Sequence, residues 1–371
     1  MFRKALRKML EKEAYPYFDE WELQRDIPRE FWRKLGNDGF LCPMVSEQYG
    51  GLGLDFGYSA ILTEELERVG AGVASGIALH SDIVTPYIEA YGTEEQKARF
   101  LPKSITGEFI SAIAMTEPGA GSDLAGIQST AILEGDVYRL NGAKTFITNG
   151  IHADYVVVVC KTNPQAVPAY KGISLLIVET GMPGFTRGKK LNKVGMHSAD
   201  TGELIFEDVL VPKENLIGEE GRGFYYLMEK LQQERLIVAL ETQIEAECCF
   251  DLTVQYVKDR KAFGSRIADF QNTQFKLAEM ATEIELGRNY IDTLLEKHIT
   301  GAEVVKEVSM AKWWISEMTK RVAADCMQLH GGYGYMEEYE IARRYRDIPV
   351  AAIYAGTTEI MKGIIAKQIL K

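Results

Sequence analysis

The periodicity of apolar residues changes twice along this chain of 371 residues, from helical to strand-like and back. Up to about residue 110 apolar residues recur at helical spacing, and that spacing returns from Gly223 to the C-terminus. Residues 109–211 carry short strand patterns separated by Gly, Asn and Asp, without helix-length segments between them. Such strands favour antiparallel pairing. The predicted fold is therefore multidomain α+β: an N-terminal helical domain (1–112), a middle antiparallel β-barrel or β-sandwich domain (113–216) and a C-terminal helical domain (217–371).

The individual elements follow from the same patterns. In the N-terminal part we predict helices over residues 2–21, from Pro28, over 58–69, and from Thr93, whose side chain suits an N-cap. The predicted strands are 109–115, 137–140, 155–160, 173–178 and 203–206, and the predicted C-terminal helices are 224–257, 271–297 and 302–329.

Charge and composition narrow the class of protein. The net charge of -11 opposes a role in binding nucleic acid. The longest apolar run, residues 155–160, is strand-sized, so we expect no integral membrane contact. The five cysteines lack CxxC spacing, which argues against a zinc site or disulfide framework and favours a reducing compartment, such as a bacterial cytoplasm or a mitochondrial matrix. The basic N-terminus lacks Ser and runs into Glu11, so we interpret it as an amphipathic helix rather than a transit peptide.

One carboxylate interrupts an apolar stripe on the predicted helix 224–257. Leu227, Leu231 and Val238 share one helical face, and Glu234 falls on the same face. A carboxylate in an apolar setting must be paired, neutralised or used chemically. Within this window alone, a structural ion pair explains Glu234 better than catalysis does.

Two motifs in the middle domain could face a flat or phosphorylated ligand. Residues 114–123 contain Gly119 and Gly121 but lack the third glycine of a dinucleotide fingerprint, which argues against a Rossmann unit. Their hydroxyl and backbone N–H groups could cradle a phosphate or a flavin edge. Phe146 and Thr148 lie two residues apart on one strand face, where the ring could stack and the hydroxyl could donate. An ordinary turn explains the first motif equally well, and an ordinary strand explains the second equally well.

Three further motifs lie in the C-terminal domain. Arg260 could pair with a pyrophosphate, and Gln271 follows it closely. Residues 328–335 end a helix in glycines that allow a close approach to a ligand. Within them His330 is better explained as a core or helix-capping residue than as a catalyst. The last motif, residues 353–359, is a short loop before the final helix.

Taken together and in this order, the five motifs resemble those of the acyl-CoA dehydrogenase family. The resemblance extends over nearly the whole chain. It implies an FAD-dependent flavoprotein with a helical domain, a β domain and a C-terminal four-helix bundle domain, assembled as a homotetramer. It also implies an acyl-CoA substrate and an electron-transfer flavoprotein as electron acceptor.

The resemblance also implies which residues contact the cofactor. Phe146 matches an aromatic residue that stacks on the flavin, where many members have Trp, and Thr148 matches a donor near flavin N5. Arg260, Gln271 and residues 328–332 match groups that bind the ADP part of FAD, usually in the neighbouring subunit. The complete set implied for FAD is Ile113, Met115, Thr116, Gly121, Ser122, Phe146, Ile147, Thr148, Arg260, Phe263, Gln271, Gln328, Leu329, Gly331, Gly332, Thr357 and Glu359.

A departure from the common family pattern concerns the catalytic base. Many members carry Glu two residues before the Thr that matches Thr357, whereas this chain has Ala355. Long-chain and isovaleryl-type members place the base on a helix instead, in a motif similar to residues 233–236. The resemblance therefore implies that Glu234 removes the substrate α-proton and that Ala355 serves through its backbone N–H. Residues matching substrate-lining positions are Ser122, Tyr170, Lys171, Tyr225, Gln232, Gln233, Arg235, Tyr354 and Gly356.

The expected reaction is α,β-dehydrogenation of medium- or long-chain acyl-CoA to trans-2-enoyl-CoA. Three alternatives stay open at this point. The chain could be an oxidase-like relative that uses O2, a branched-chain or isovaleryl-type dehydrogenase, or a non-catalytic binder of acyl-CoA or FAD. The last is suggested by Ala355 and opposed by the intact motif around Glu234.

Overall fold

The computed structural model describes all 371 residues, and their contacts divide the chain into two compact units. The first unit comprises Met1–Ser59, Ser75–Lys193 and His197–Leu231. The second unit comprises Ala60–Ala74, Val194–Met196 and Gln232–Lys371. None of the helices combines the length and apolar character that crossing a bilayer requires. The three-domain boundaries expected from sequence stay a prediction.

Short helices build the N-terminal part of the chain. The helix predicted over 2–21 is two helices, because Pro16 lacks the N–H that would continue the first. Thr93 caps its helix as predicted: its hydroxyl accepts from Gln96 N at 3.2 Å, and Gln96 Oε1 accepts from Thr93 N at 3.0 Å. The helices are α1 (Phe2–Glu13), α2 (Phe18–Gln24), α3 (Arg29–Asn37), α4 (Phe56–Val69), α5 (Ala71–Ala78), α6 (Thr85–Tyr91) and α7 (Glu94–Ile105), with a π-helical turn, Leu79–Val84, between α5 and α6.

A seven-stranded sheet in the first unit carries the middle of the chain. All five predicted strands are present, and two further strands, Thr130–Glu134 and Phe185–Lys190, were not anticipated. The strands are β1 (Ser111–Ala114), β2 (Thr130–Glu134), β3 (Val137–Thr148), β4 (Tyr155–Lys161), β5 (Ile173–Glu179), β6 (Phe185–Lys190) and β7 (Thr201–Pro212).

Most pairings in this sheet are antiparallel, as expected. The spatial order is β1-β4-β2-β3-β7-β6, and β5 also pairs with β4. Strands β1 and β2 pair parallel with β4, which the lack of intervening helices did not predict. The connection from β1 to β4 runs through β2 and β3 instead of a helix. The core of the sheet includes Tyr138, Leu140, Val156, Val158 and Phe206, all buried.

Long helices build the C-terminal part, as predicted. They are α8 (Gly223–Asp259), α9 (Gln271–Ile299), α10 (Val305–His330), α11 (Glu340–Asp347) and α12 (Thr358–Ile369), with a small hairpin of β8 (Lys261–Ala262) and β9 (Ser265–Arg266) before α9. Helix α10 packs against α9, α11 and α12. Arg288 of α9 pairs with Glu64 and with Glu247 at 2.7 and 2.8 Å, which fastens α4 and α8 to the same unit.

Candidate functional site

A buried ion pair shapes the loop that follows β1. Lys144 Nζ lies 2.8 Å from Glu117 Oε1 and donates to Met115 O at 2.9 Å. Glu117 also accepts from the backbone N–H groups of Gln128 and Ser129. Burial lowers the pKa of Lys144. Burial alone would raise the pKa of Glu117, but hydrogen bonds from Lys144 and Ser129 hold it below its ordinary value. The pair therefore ties β3 to the glycine-rich loop.

Phe146 stands outward from the end of β3. A bulge separates Lys144 from Ile147 in the pairing with β7, and Phe146 has a φ of 59°. Its side chain is 68% exposed, whereas neighbouring Ile147 is buried and Thr148 is half-buried. Exposure therefore alternates along residues 146–148, and the shared face of Phe146 and Thr148 stays a prediction because the bulge interrupts the regular strand.

The same part of the first unit fits a flat cofactor. A Cβ at Gly119 or Gly121 would meet no atom within 4 Å, so a ligand can approach this backbone closely. Thr145 N donates to Thr116 O at 3.0 Å, which holds the loop beside β3. An exposed aromatic face beside open backbone N–H groups suits a flavin ring. Among the implied contacts, Ile113 and Ile147 are buried, Met115, Thr116 and Thr148 are half-buried, and Gly121, Ser122 and Phe146 are exposed.

Two predicted substrate-lining tyrosines lie together in the first unit. The rings of Tyr170 and Tyr225 are 6.0 Å apart and nearly perpendicular. The charge of Tyr225 and burial raise the pKa of Tyr170. Arg222, which the sequence reasoning missed, places its guanidinium 4.4 Å from the Tyr225 ring. Lys171 is exposed on the short turn that carries Tyr170.

Glu234 is buried on α8, in the second unit. It is 5% exposed, and the apolar residues of its stripe, Leu227, Leu231 and Val238, are at most 8% exposed. The predicted stripe is therefore confirmed as buried.

The two glutamines before Glu234 on α8, Gln232 and Gln233, form hydrogen bonds with residues outside that helix. The Gln232 amide bonds to His298 Nδ1 and Ala302 O, each at 3.1 Å, and accepts from Val304 N. Gln233 Oε1 lies 3.4 Å from His298 Nε2. Gln232 thus holds the loop between α9 and α10, and Gln233 contacts the last turn of α9; sequence patterns indicated neither contact.

The loop of residues 354–356 is held against α8 and α10. Arg235 Nε donates to Ala355 O at 3.4 Å, and Lys312 Nζ donates to Gly356 O at 2.6 Å. Ala355 and Gly356 have φ values of 51° and 98°, in the left-handed region. Burial lowers the pKa of Arg235. Ala355 therefore lies next to Arg235, which directly follows Glu234 in the chain.

The hydroxyl of Tyr354, in the same loop, is close to the carboxyl groups of Glu241 and Glu67. Tyr354 donates to Glu241 Oε2 at 3.2 Å. Burial, followed by the charges of Glu241 and Glu67, raises the pKa of Tyr354. Burial and the charge of Glu245 likewise raise the pKa of Glu67. Arg344 balances part of this charge through Glu245 at 2.7 Å. A cavity of about 20 Å³ at this point has room for about one water molecule.

The residues implied for the ADP part of FAD form an exposed surface on the second unit. Arg260 stands over the ring of Tyr333 at 5.2 Å, and the rings of Tyr256 and His330 stack at 4.3 Å. These contacts bring residues 259–264 and 328–335 together. Of the residues implied for the ADP part, Arg260, Gln271, Gln328, Gly331 and Gly332 are exposed and Leu329 is half-buried; among the other residues implied for FAD in this unit, Phe263 and Glu359 are exposed and Thr357 is half-buried.

His330 occupies a structural position within this surface. Its Nδ1 lies 2.8 Å from Cys326 O, one turn earlier in α10, and the side chain is 5% exposed. Burial lowers its pKa. A hydrogen-bonded, stacked histidine at a helix end agrees with the capping interpretation made from sequence.

Comparisons with known proteins cover the whole chain. The N-terminal, middle and C-terminal domain models of acyl-CoA dehydrogenases match residues 1–108, 112–209 and 221–370. The mitochondrial long-chain specific acyl-CoA dehydrogenase of Sus scrofa is 48% identical over 370 residues, which cover 100% of this chain and 86% of that protein.

Two solved structures have the same fold. The acyl-CoA dehydrogenase of Geobacillus kaustophilus superposes with a TM-score of 0.98 at 67% identity, covering 100% of this chain and 97% of that chain. A chain from the structural study of the electron transferring flavoprotein of Acidaminococcus fermentans superposes with a TM-score of 0.96 at 38% identity, also covering 100% of this chain and 97% of that chain.

Proposed function

The chain belongs to the acyl-CoA dehydrogenase family, and on that premise we propose that it converts medium- or long-chain acyl-CoA to trans-2-enoyl-CoA. It is an FAD-dependent oxidoreductase. The chain-length range is supported by the resemblance to the long-chain specific enzyme of Sus scrofa. One observation carries the assignment of the base: Glu234 is buried, and Arg235 beside it bonds to Ala355 O in the loop where many members carry their base.

Glu234 takes the α-proton in this proposal. The thioester carbonyl acidifies the α-carbon, and a carboxylate excluded from water is a better base toward it than one in bulk solvent. The electron pair of the broken C–H bond moves onto the thioester oxygen as an enolate. The backbone N–H of Ala355 donates to that oxygen, and this donation needs no side chain. A bound FAD would supply the acceptor for the β-hydrogen, which leaves as hydride while the enolate electron pair returns to form the Cα=Cβ double bond.

The first unit holds and orients the cofactor in this proposal. The Phe146 ring offers a flat apolar face, and the Thr148 hydroxyl offers a donor two residues further along the same strand. Thr116 and Ser122 contribute from the glycine-rich loop. The Lys144–Glu117 pair keeps that loop beside β3. Tyr170, Lys171 and Tyr225 line the approach of the CoA thioester.

Electrons leave to an electron-transfer flavoprotein in this proposal. A structure from the study of the Acidaminococcus fermentans electron transferring flavoprotein shares the fold, which supports such a partner. Steady hydrogen peroxide formation from acyl-CoA in air, without another acceptor, would instead favour an oxidase. We place the enzyme in the bacterial cytoplasm, with the mitochondrial matrix as the alternative compartment.

Anaerobic bleaching of the flavin tests both the activity and the base. We expect the parent enzyme to bleach with straight-chain acyl-CoA of medium or long chain more readily than with branched acyl-CoA. Glu234→Gln should retain FAD and fail to bleach, because an amide cannot accept the proton. Losing a positioned base slows proton transfer by about 10²-fold to 10⁴-fold.

The matched control is Glu229→Gln, which changes an exposed carboxylate on the same helix. This variant should bleach like the parent enzyme. Normal bleaching by Glu234→Gln would remove Glu234 from its proposed role, and an oxidised flavin in the parent with every acyl-CoA would indicate a non-catalytic binder.

A further inference from the structure

Lys312 of α10 is a buried ammonium with an unusual environment. Its side chain is 0% exposed, and its one hydrogen bond goes to Gly356 O at 2.6 Å. It forms no ion pair, although the charges of Glu317 and Glu359 raise its pKa in opposition to the charge of Arg235. Burial, and then the charge of Arg235, lowers the pKa of Lys312 to about 8. Removing an ammonium from water for a single neutral acceptor costs stability.

Two buried cations therefore bind two consecutive carbonyl oxygens. Arg235 Nε bonds to Ala355 O, and Lys312 Nζ bonds to Gly356 O. Both residues of the loop have positive φ, which is unfavourable for Ala355 because of its Cβ. A Cβ at Gly356 would lie 2.6 Å from Met361 Cε, so the loop is closely packed as well. The backbone conformation is maintained by groups outside the loop.

We propose that Lys312 is a positioning residue for α-proton removal, because it holds the 355–356 backbone where the Ala355 N–H meets the developing enolate oxygen. This inference rests on the proposed function, in which Ala355 is that donor. Lys312 exchanges no proton itself. The α-proton passes to the Glu234 carboxylate, the C–H electron pair becomes the enolate, and Lys312 acts only through the carbonyl of Gly356.

Stability alone does not explain a lysine here. Methionine has nearly the same length and fills the same apolar space without the desolvation cost of a charge, and such replacements of buried charges are often neutral or stabilising. Lysine is needed instead to fix one carbonyl of a strained loop. If Lys312 only stabilised the fold, Lys312→Met would lose stability. If Lys312 positions the loop, the variant keeps its stability and loses catalytic rate.

The test separates proton removal from hydride transfer. An acyl-CoA analogue with sulfur in place of the β-carbon can lose its α-proton but has no β-hydrogen to give up. In D2O, its exchange of α-hydrogen for deuterium, followed by mass spectrometry, reports proton removal alone. The experiment compares FAD-loaded parent enzyme, Lys312→Met and Lys306→Met. Lys306 lies on the same helix but is 36% exposed and pairs with Glu307, so its variant serves as the matched control.

We expect Lys312→Met to unfold at the same temperature as the parent or higher, and to bind the analogue with similar affinity. Its exchange rate at saturating analogue should fall by about 10-fold to 100-fold, as displaced catalytic groups commonly cause. Lys306→Met should match the parent in all three measurements. Should Lys312→Met not fold, the same loss of exchange is expected of Lys312→Gln, whose shorter side chain cannot reach Gly356 O.

Other outcomes would contradict the inference. If the parent and Lys312→Met exchange at equal rates, Lys312 does not position the loop, whereas the proposed function stands. Weaker binding with an unchanged rate at saturation also overturns the inference. If the parent itself exchanges no α-hydrogen, while Glu234→Gln behaves identically, the proposed function fails and the inference fails with it.

Discussion

At the scale of single residues, two buried lysines illustrate how differently a charge can be accommodated. Lys144 and Lys312 are each completely buried. Lys144 forms an ion pair with Glu117 at 2.8 Å, whereas Lys312 has no ion pair, hydrogen-bonds only to a backbone carbonyl and feels Glu317 and Glu359 at longer range. The first arrangement gives the protein a fastened loop, and the second holds a loop whose backbone conformation is strained. We therefore expect replacement by methionine to destabilise the protein at Lys144 but not at Lys312.

The paired lysine leads to a prediction about stability. Lys144→Met should leave the Glu117 carboxylate buried without its cation, and breaking such a pair costs about 3–5 kcal/mol. The measurement is the urea midpoint of the FAD-loaded enzyme. Lys144→Met combined with Glu117→Gln should recover part of the loss, since the uncompensated charge is then gone. A Lys144→Met midpoint equal to that of the parent would show that the pair contributes nothing.

At the scale of elements, the π-helical turn Leu79–Val84 joins two helices and carries two buried titratable groups. His80 Nε2 bonds to Ser104 O of α7, and His80 Nδ1 accepts from Ser111 N of β1. An Nδ1 that accepts requires neutral histidine, and burial lowers the pKa of His80 to about 4. Burial raises the pKa of Asp82, two residues further on, to about 7. The turn thus keeps His80 uncharged above about pH 4 and Asp82 uncharged below about pH 7.

These two groups have opposite effects on stability as pH rises. Histidine ordinarily titrates near 6.5, so the unfolded chain binds the extra proton between pH 4 and 6.5, and the His80 contribution rises with pH. Aspartate ordinarily titrates near 3.8, so between pH 4 and 7 the folded chain keeps the proton, and the Asp82 contribution falls as pH rises.

Asp82→Asn isolates one of the two effects. The unfolding free energy of this variant minus that of the parent should increase from pH 4 to pH 7, by at most about 1.4 kcal/mol per pH unit. Thermal unfolding of both proteins across this range provides the comparison. The slope is the informative quantity, because the absolute difference also contains any hydrogen bonds that Asn changes. A difference independent of pH would mean that Asp82 is ionised in the folded protein.

At the scale of the whole molecule, the residues implied for FAD fall into two sets. One set surrounds Phe146 in the first unit, and the other forms the exposed surface that includes Arg260, Phe263 and Gln271 in the second. Phe263 stands at the tip of the β8–β9 hairpin, 98% exposed. We propose that this surface serves the cofactor of a neighbouring subunit within a homotetramer, as the family resemblance implies.

Mixed assemblies test this sharing of the cofactor. Glu234→Gln chains lack the base, and Arg260→Ala chains should retain FAD about 10-fold less tightly because a charged partner of the pyrophosphate is lost. Unfolding and refolding the two variants together should restore part of the activity. In a hybrid pair, one site combines an intact Glu234 with an intact Arg260. Activity no higher than that of the separately refolded variants would contradict a shared site.

Sequence by itself determined the order of helical and β-forming segments, because apolar periodicity is a local property. It also singled out Glu234 as a carboxylate that broke an apolar stripe, and the family resemblance, with Ala355 in place of the common base, then suggested a catalytic role. Strand β6 was missed because its sequence is largely polar, and β2 because it is only five residues long; both are specified by their pairing with β7 and β3. Only the tertiary structure revealed Lys312, whose acceptor lies 44 residues away in the chain. A buried charge acquires its role from the groups that folding places around it, and no local pattern records their identity.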